Sequence, residues 1–252
     1  KIQWSNLYDE ARLVTHIMQV WREDGVPPEV PLFITESNIS PQYSEAYQDL
    51  WSALWLADYV GAFLAGGGNA LYYFHYMPAP FAPGHNGSPG TFSFFSADSE
   101  LRIKQPLAQY FASRLINLEW LQPGNAVHRL FSASAHISDA AGPALVSAYP
   151  VLRPDGAWGL MIVNKDQDNA HQVEVRFEDS VHRRRGGFSG PVHAAVCGPT
   201  QYRWHPDASG GRADPDGPVA MATLAARPGE RFTLPAASIT VLVGKVTLQD
   251  AR

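Results

Sequence analysis

A carboxylate set directly behind a short apolar run is the first feature of this sequence that could do chemistry. It is Glu36, in Pro31-Leu-Phe-Ile-Thr-Glu-Ser-Asn38. Residues 31–35 read as a strand buried on both faces, because the run is apolar and bounded by turn residues. A carboxylate at the C-terminal end of such a parallel strand stands where a (β/α)8 barrel holds its active site. Ser37 and Asn38 could hydrogen-bond that carboxylate or a sugar hydroxyl. The plainer reading is a Glu that caps the next helix or sits in a solvated loop. A second apolar run, residues 70–75, carries Tyr72, Tyr73 and His75, with Tyr76 just beyond it. Polar aromatics at a strand end can hold a sugar ring and hydrogen-bond a nucleophile; alternatively, one or two of them fill a barrel interior.

Other chemistries find little support. The nine His form no pair four residues apart and no HExxH pattern, so no metal site is expected. Cys197 is the single cysteine, which excludes an internal disulfide and any zinc site built on several thiolates. There is no GxSxG elbow and no phosphate loop. Arg183-Arg184-Arg185, leading into Gly186-Gly187, reads as a hairpin tip or solvated loop rather than an anion site.

The elements that must position these residues change character near residue 120. Before it, apolar positions recur at helical spacing over 7–23, with Asn6 as cap, then over 44–64, and a third helix is expected over 105–118. Trp51 and Trp55, four apart, read as helix packing. Helix, strand, helix, strand, helix is the signature of parallel α/β architecture. Two parallel strands make no stable sheet alone, so residues 1–119 read as the C-terminal part of a (β/α)8 TIM barrel, strands seven and eight with their helices. Residues 120–252 carry short alternating runs at 144–151, 158–163, 173–177, 192–196, 232–234 and 238–243. Turn signals such as Arg153-Pro-Asp-Gly156 and Pro215-Asp-Gly217 separate them, and residues 205–218 read as a long surface loop. This predicts an antiparallel β-sandwich, packed on the barrel part through Trp120 and Leu121.

Residues 31–40 resemble the seventh-strand motif of family 39 glycoside hydrolases, the β-xylosidase and α-iduronidase family of clan A. That motif reads roughly T-E-[FW]-N-[ST]-S, and its Glu is the nucleophile. A long helix then leads to an aromatic eighth strand, here Tyr72 to Tyr76. Residues 90–111 resemble the family's stretch in which a glycine-rich turn precedes KPxYxAF and the last helix. A Leu-Pro-x-x-Ser-Ile-Thr-Val-Leu pattern closes the sandwich, here at 234–242. The resemblance implies a retaining glycoside hydrolase with Glu36 as nucleophile and Asn38, Tyr73, His75 and Tyr76 in contact with substrate. It implies no cofactor. The chain departs from the family at Ser37, where an aromatic is usual, and over Tyr72-Tyr-Phe-His-Tyr-Met77, so the sugar is not carried over.

Retaining hydrolysis needs two carboxyls about 5–5.5 Å apart. In clan A the acid/base follows an Asn on the fourth strand, and no Asn-Glu dipeptide occurs here. Asp49, Asp58, Asp98 and Glu100 are the remaining candidates, and none is expected at a second strand end. The acid/base is therefore expected upstream, in the N-terminal part of the same barrel. The alternative is a non-catalytic carbohydrate-binding or structural module.

Composition sets the outer limits. The balance of 45% hydrophobic and 17% charged residues is that of a globular chain, and a net charge of −5 gives no basic surplus for nucleic acid. No apolar run is long enough to span a membrane. Seven Trp and ten Tyr suit sugar faces as well as ordinary cores. The start, Lys-Ile-Gln-Trp, carries no Met and no signal peptide, which reads as a mature or truncated chain. A secreted or periplasmic location is expected.

Overall fold

The computed structural model describes residues 2–40, 45–84, 89–138, 142–214 and 219–250. Helix α1 spans Glu10–Glu23 and buries Val14 and Met18. It begins later than the periodicity predicts, because a 3-10 turn over Trp4–Tyr8 takes up the preceding residues. Asn6 serves that turn: its side-chain oxygen accepts the Gln3 N–H at 2.8 Å. Strand β1 follows at Phe33–Ser37, helix α2 at Leu50–Ala65 and strand β2 at Ala70–Tyr73. The predicted start of α2 at Ser44 lies outside the described residues. Asp49 sets the observed start, accepting the Leu50 N–H at 2.6 Å.

Nearly every side chain of α2 is buried, Trp51 and Trp55 included. A helix apolar all round must be covered all round. α2 lies against α1 on one side and, on others, against a third helix and the large sheet described below. Gly61 marks the closest approach: a methyl there would lie 2.4 Å from the ring of Tyr149, so only glycine admits the contact.

β1 and β2 pair in parallel. The expectation that β1 is buried on both faces does not hold: Phe33 is 55% exposed and Tyr72, on β2, is 58% exposed. Leu32, Ile34, Leu71 and Tyr73 pack toward the core instead. A two-stranded parallel sheet covered by helices on one side leaves its other face open.

A hairpin that the sequence reading missed comes next, β3 at Phe95–Ala97 and β4 at Ile103–Pro106. It takes Gln105 and Pro106 out of the predicted third helix. That helix, α3, runs Ala108–Arg114 and continues as a π-helical turn over Leu115–Trp120.

The remainder is all strand. β5 is Arg129–Leu130, β6 Val146–Leu152, β7 Trp158–Asn164, β8 His171–Glu174, β9 Phe177–Asp179 and β10 Arg184–Cys197. β11 is Arg203–His205, β12 Arg212–Asp214, β13 Ala220–Ala226, β14 Arg231–Leu234 and β15 Ser238–Asp250. The large sheet is antiparallel, in the order β13-β10-β15-β7-β6-β5, with β9 paired to β10. Two predicted runs are pieces of longer strands. β10 absorbs Arg184 to Gly187, held by ion pairs of Arg184 to Asp179 and Arg185 to Glu178. Arg183 remains at the hairpin tip with φ of 51°. The predicted loop 205–218 takes in the last residue of β11 and the whole of β12, which pair with each other, and its Pro215-Asp-Gly217 turn lies outside the described residues.

The central strands of the large sheet are buried on both faces, whereas the edge strand β13 is exposed except at Ala226. Met161, Val163, Ile239 and Val241 join Leu54, Phe63, Phe111 and Leu115 of the helices in one apolar cluster. Leu160, Ile162, Phe188 and Leu242 face the other way, toward Phe232 and Leu234 of the β8–β14 pair. The first cluster runs unbroken through the predicted junction. Trp120 is fully buried there, and its indole N–H donates to the Tyr149 carbonyl at 2.9 Å. The result is a mixed fold, mostly strand with few helices. No helix among the described residues is long and apolar enough to cross a membrane.

Candidate functional site

A register shift delivers Glu36 to the open face. Ile34 pairs with Leu71 and Ser37 with Tyr73, so three steps along β1 match two along β2. The extra residue is a β-bulge, and bulges re-aim side chains. Strict alternation would put Glu36 on the Ile34 side, against the core. With the bulge, Thr35 and Glu36 are both exposed and Ser37 turns inward instead. Inside, Ser37 meets the phenol of Tyr59 on α2. The Glu36 carboxylate has no ion pair or side-chain hydrogen bond among the described residues.

Asn38 holds the strand ends together. Its amide nitrogen donates to the Phe74 carbonyl beyond β2 and to the Phe92 carbonyl at 3.3 Å, while its oxygen accepts the Ile39 N–H at 2.8 Å. Two backbone carbonyls thus take up its amide nitrogen, and the Tyr73 phenol lies within reach of the same side chain. The segment after β2 is fixed to the same stretch: His75 N–H donates to Phe92 O, and Phe94 N–H to His75 O, each at 3.1 Å. The Phe74–His75 peptide bond is cis. The His75 ring bonds the Met77 carbonyl through Nδ1 at 2.9 Å.

Tyr73 points to the core and stacks on Phe94, ring centroids 4.1 Å apart. Burial holds its phenol well above the usual range. Tyr76 is 67% exposed and meets the edges of Phe94 and Phe95. The structure thus brings Asn38, His75, Tyr73 and Tyr76 around one aromatic segment, residues 92–95. It places Tyr72, not Tyr73, on the open face with Glu36. The sequence reading missed the bulge and the Phe92–Phe95 shelf. The only signal for the shelf was the aromatic alternation in Thr91-Phe-Ser-Phe-Phe95.

Each of the other four candidate carboxylates is occupied elsewhere. Asp49 caps α2. Asp98 accepts from Arg102 at 2.8 Å and from two backbone N–H groups, which holds it below the usual carboxyl range. Glu100 pairs with Arg102 at 3.0 Å. Asp58 is buried with Lys165 at 2.9 Å. Among the described residues no three His, Cys, Asp or Glu side chains converge as a metal site would require. A shallow depression on the outer face of α1 is lined by Ala11, Arg12, Thr15, His16 and Gln19, and by none of the residues around Glu36.

No protein-family model and no curated protein matches the chain. Solved structures do. A bifunctional glucanase-xylanase from a metagenome library superposes with a TM-score of 0.51 at 18% identity, over 92% of this chain and 34% of its own. An endoxylanase of glycoside hydrolase family 30 from Clostridium papyrosolvens gives 0.53 at 16% identity, over 92% and 46%. An arabinofuranosidase gives 0.59 at 12% identity, over 97% and 50%. The chain has the fold of part of a glycoside hydrolase. It spans about a third to a half of the length of these neighbours.

Proposed function

We propose that this chain is the nucleophile-bearing part of a retaining glycoside hydrolase that cleaves O-glycosidic bonds. The carrying observation is Glu36: an exposed carboxylate, unpaired among the described residues and aimed outward by a bulge at the end of a parallel strand. In this reading residues 1–119 are the last two β/α units of a (β/α)8 barrel of clan A type, resembling family 39, and residues 120–252 are its sandwich. A Glu36 oxygen attacks the anomeric carbon as the bond to the leaving oxygen breaks, and an acid protonates that oxygen. The same acid, now a base, takes a proton from water, which attacks the anomeric carbon and frees Glu36. Tyr72 and Tyr76 offer ring faces to the sugar, and Asn38 holds the strand ends in register. The acid/base comes from a segment outside residues 1–252, since Asp49, Asp58, Asp98 and Glu100 are structurally engaged. Glycosides derived from plant or microbial polysaccharides fit this role, in a secreted or periplasmic setting.

The occupied state of Asp49, Asp58, Asp98 and Glu100 also favours a second reading, a non-catalytic carbohydrate-binding or structural module. One assay separates them. Residues 1–252 should turn over a natural oligosaccharide, whose leaving oxygen needs protonation, at well under about 1% of the rate of a longer polypeptide that supplies the remaining barrel, because general acid catalysis alone contributes about 10²–10⁴-fold. Comparable turnover by residues 1–252 would place the acid/base within this chain. No turnover by either, with sugar binding retained, would favour the binding module.

A further inference from the structure

A backbone carbonyl fixes what the imidazole of His75 can do. Its Nδ1 lies 2.9 Å from the Met77 oxygen. A carbonyl oxygen only accepts, so Nδ1 carries the hydrogen. In the neutral ring the other nitrogen, Nε2, is then a lone-pair acceptor and nothing else. Nε2 bonds no described residue, and the side chain is only half-buried, so a ligand can reach it.

The ring is also held in place. The His75 N–H donates to the Phe92 carbonyl and the His75 carbonyl accepts the Phe94 N–H, each at 3.1 Å. The Met77 carbonyl that anchors Nδ1 accepts the Ser93 hydroxyl at 2.6 Å. Both ends of the anchoring bond are thus tied to residues 92–94. The Phe74 ring meets the imidazole edge-on, centroids 4.8 Å apart. The end of β1 is fastened to this segment as well: Phe74 N–H donates to the Ser37 carbonyl at 2.9 Å, and the Asn38 amide nitrogen donates to the Phe74 carbonyl. Glu36 and His75 each stand one residue from those bonds. With paired strands about 4.8 Å apart and rising about 3.3 Å per residue, the two side chains leave the backbone on the order of 10 Å apart. A short saccharide bridges that span.

We propose that His75 Nε2 accepts a hydroxyl hydrogen of the glycoside bound at Glu36, and so sets which sugars the site takes. The inference rests on the catalytic reading of Glu36 and adds a specificity-determining residue to it. A sugar that places a hydroxyl against Nε2 satisfies the nitrogen. A sugar that lacks it leaves a desolvated acceptor unpaired, and a site built to bond a hydroxyl rejects such an analogue.

The test is a double cycle between residue and hydroxyl. The longer polypeptide that supplies the remaining barrel is assayed on whichever aryl xyloside, arabinofuranoside or glucoside it turns over fastest, and on the monodeoxy analogues of that sugar. Loss of one particular hydroxyl should lower kcat/KM by about 10–100-fold, and His75→Ala should lower it on the full sugar by about as much. The two losses should not multiply. His75→Ala should handle that one deoxy sugar nearly as well as the unaltered protein does, and keep its full loss on every other analogue. His75→Gln, whose amide oxygen still accepts, should regain part of the discrimination. A substitution that merely disturbs residues 74–77 would cost the same factor on every analogue, so losses that multiply for all hydroxyls overturn the inference. A glycosyl adduct on Glu36 in that case leaves the catalytic reading standing without His75, whereas turnover of none of the three glycosides sinks both.

Discussion

Glu36→Gln in the active polypeptide should leave the fold unchanged and lower turnover of an activated aryl glycoside by about 10³-fold or more. The fold is untouched because the side chain is exposed and bonds no other described residue. Turnover collapses because an amide oxygen is a poor nucleophile. Asp49, Asp58, Asp98 and Glu100 each hold a cap, an ion pair or both. An activated leaving group needs little protonation, so the assay isolates the attack step from the acid. KM should change far less than kcat. The check is a steady-state comparison alongside matched circular dichroism spectra. Retention of more than a few per cent of parent kcat would remove Glu36 from the nucleophile role.

The largest stability effect should come from the buried pair. Lys165→Met leaves Asp58 buried with the Tyr149 hydroxyl as its remaining partner. Breaking one partner of a buried pair costs about 3–5 kcal/mol, and here the melting temperature should drop by on the order of 10 °C. Asp58→Asn leaves the Lys165 ammonium buried without its counter-ion and should cost a comparable amount. Replacing both, Asp58→Leu with Lys165→Met, should recover most of the loss, because no unpaired charge is left buried. Thermal or denaturant unfolding of the three variants decides this. A double variant no better than Lys165→Met would show that the hydrogen bonds of Asp58 to Tyr149 and of Lys165 to Ser147, rather than charge pairing, hold the layers together.

The sequence disclosed elements whose pattern is local. The apolar run before Glu36 and the helical spacing of Val14 and Met18 follow from short-range periodicity, and the structure places a strand and a helix there. Trp51 and Trp55 pack as their spacing indicates. What stayed hidden depends on distant partners. The β1 bulge exists only in register with β2, so no alternation within 31–38 announces it. β10 extends through Gly186 and Gly187, which read as a turn, because β15 pairs with them along the full strand. The β3–β4 hairpin lies in a stretch whose Pro106-Leu-Ala-Gln pattern suggests a helix start. Lys165 and Asp58 meet across more than a hundred residues, and each alone looks like an ordinary surface charge. At the site, the strand-end positions of Glu36 and of the aromatic residues were legible, whereas the outward face of Tyr72 and the inward face of Tyr73 were not. Alternation decides which tyrosine faces outward, and the direction of that alternation is set by the helices packed behind.

The most direct measurement of the central claim is covalent trapping. An activated 2-deoxy-2-fluoro glycoside slows both steps, and its leaving group speeds the first, so the glycosyl-enzyme accumulates. Peptide mass analysis of the inactivated polypeptide should then find one glycosyl adduct, on the peptide containing Thr35-Glu36-Ser37-Asn38, with fragmentation assigning it to Glu36. An adduct on another carboxylate, or full activity toward the parent glycoside with no adduct at all, would contradict the assignment.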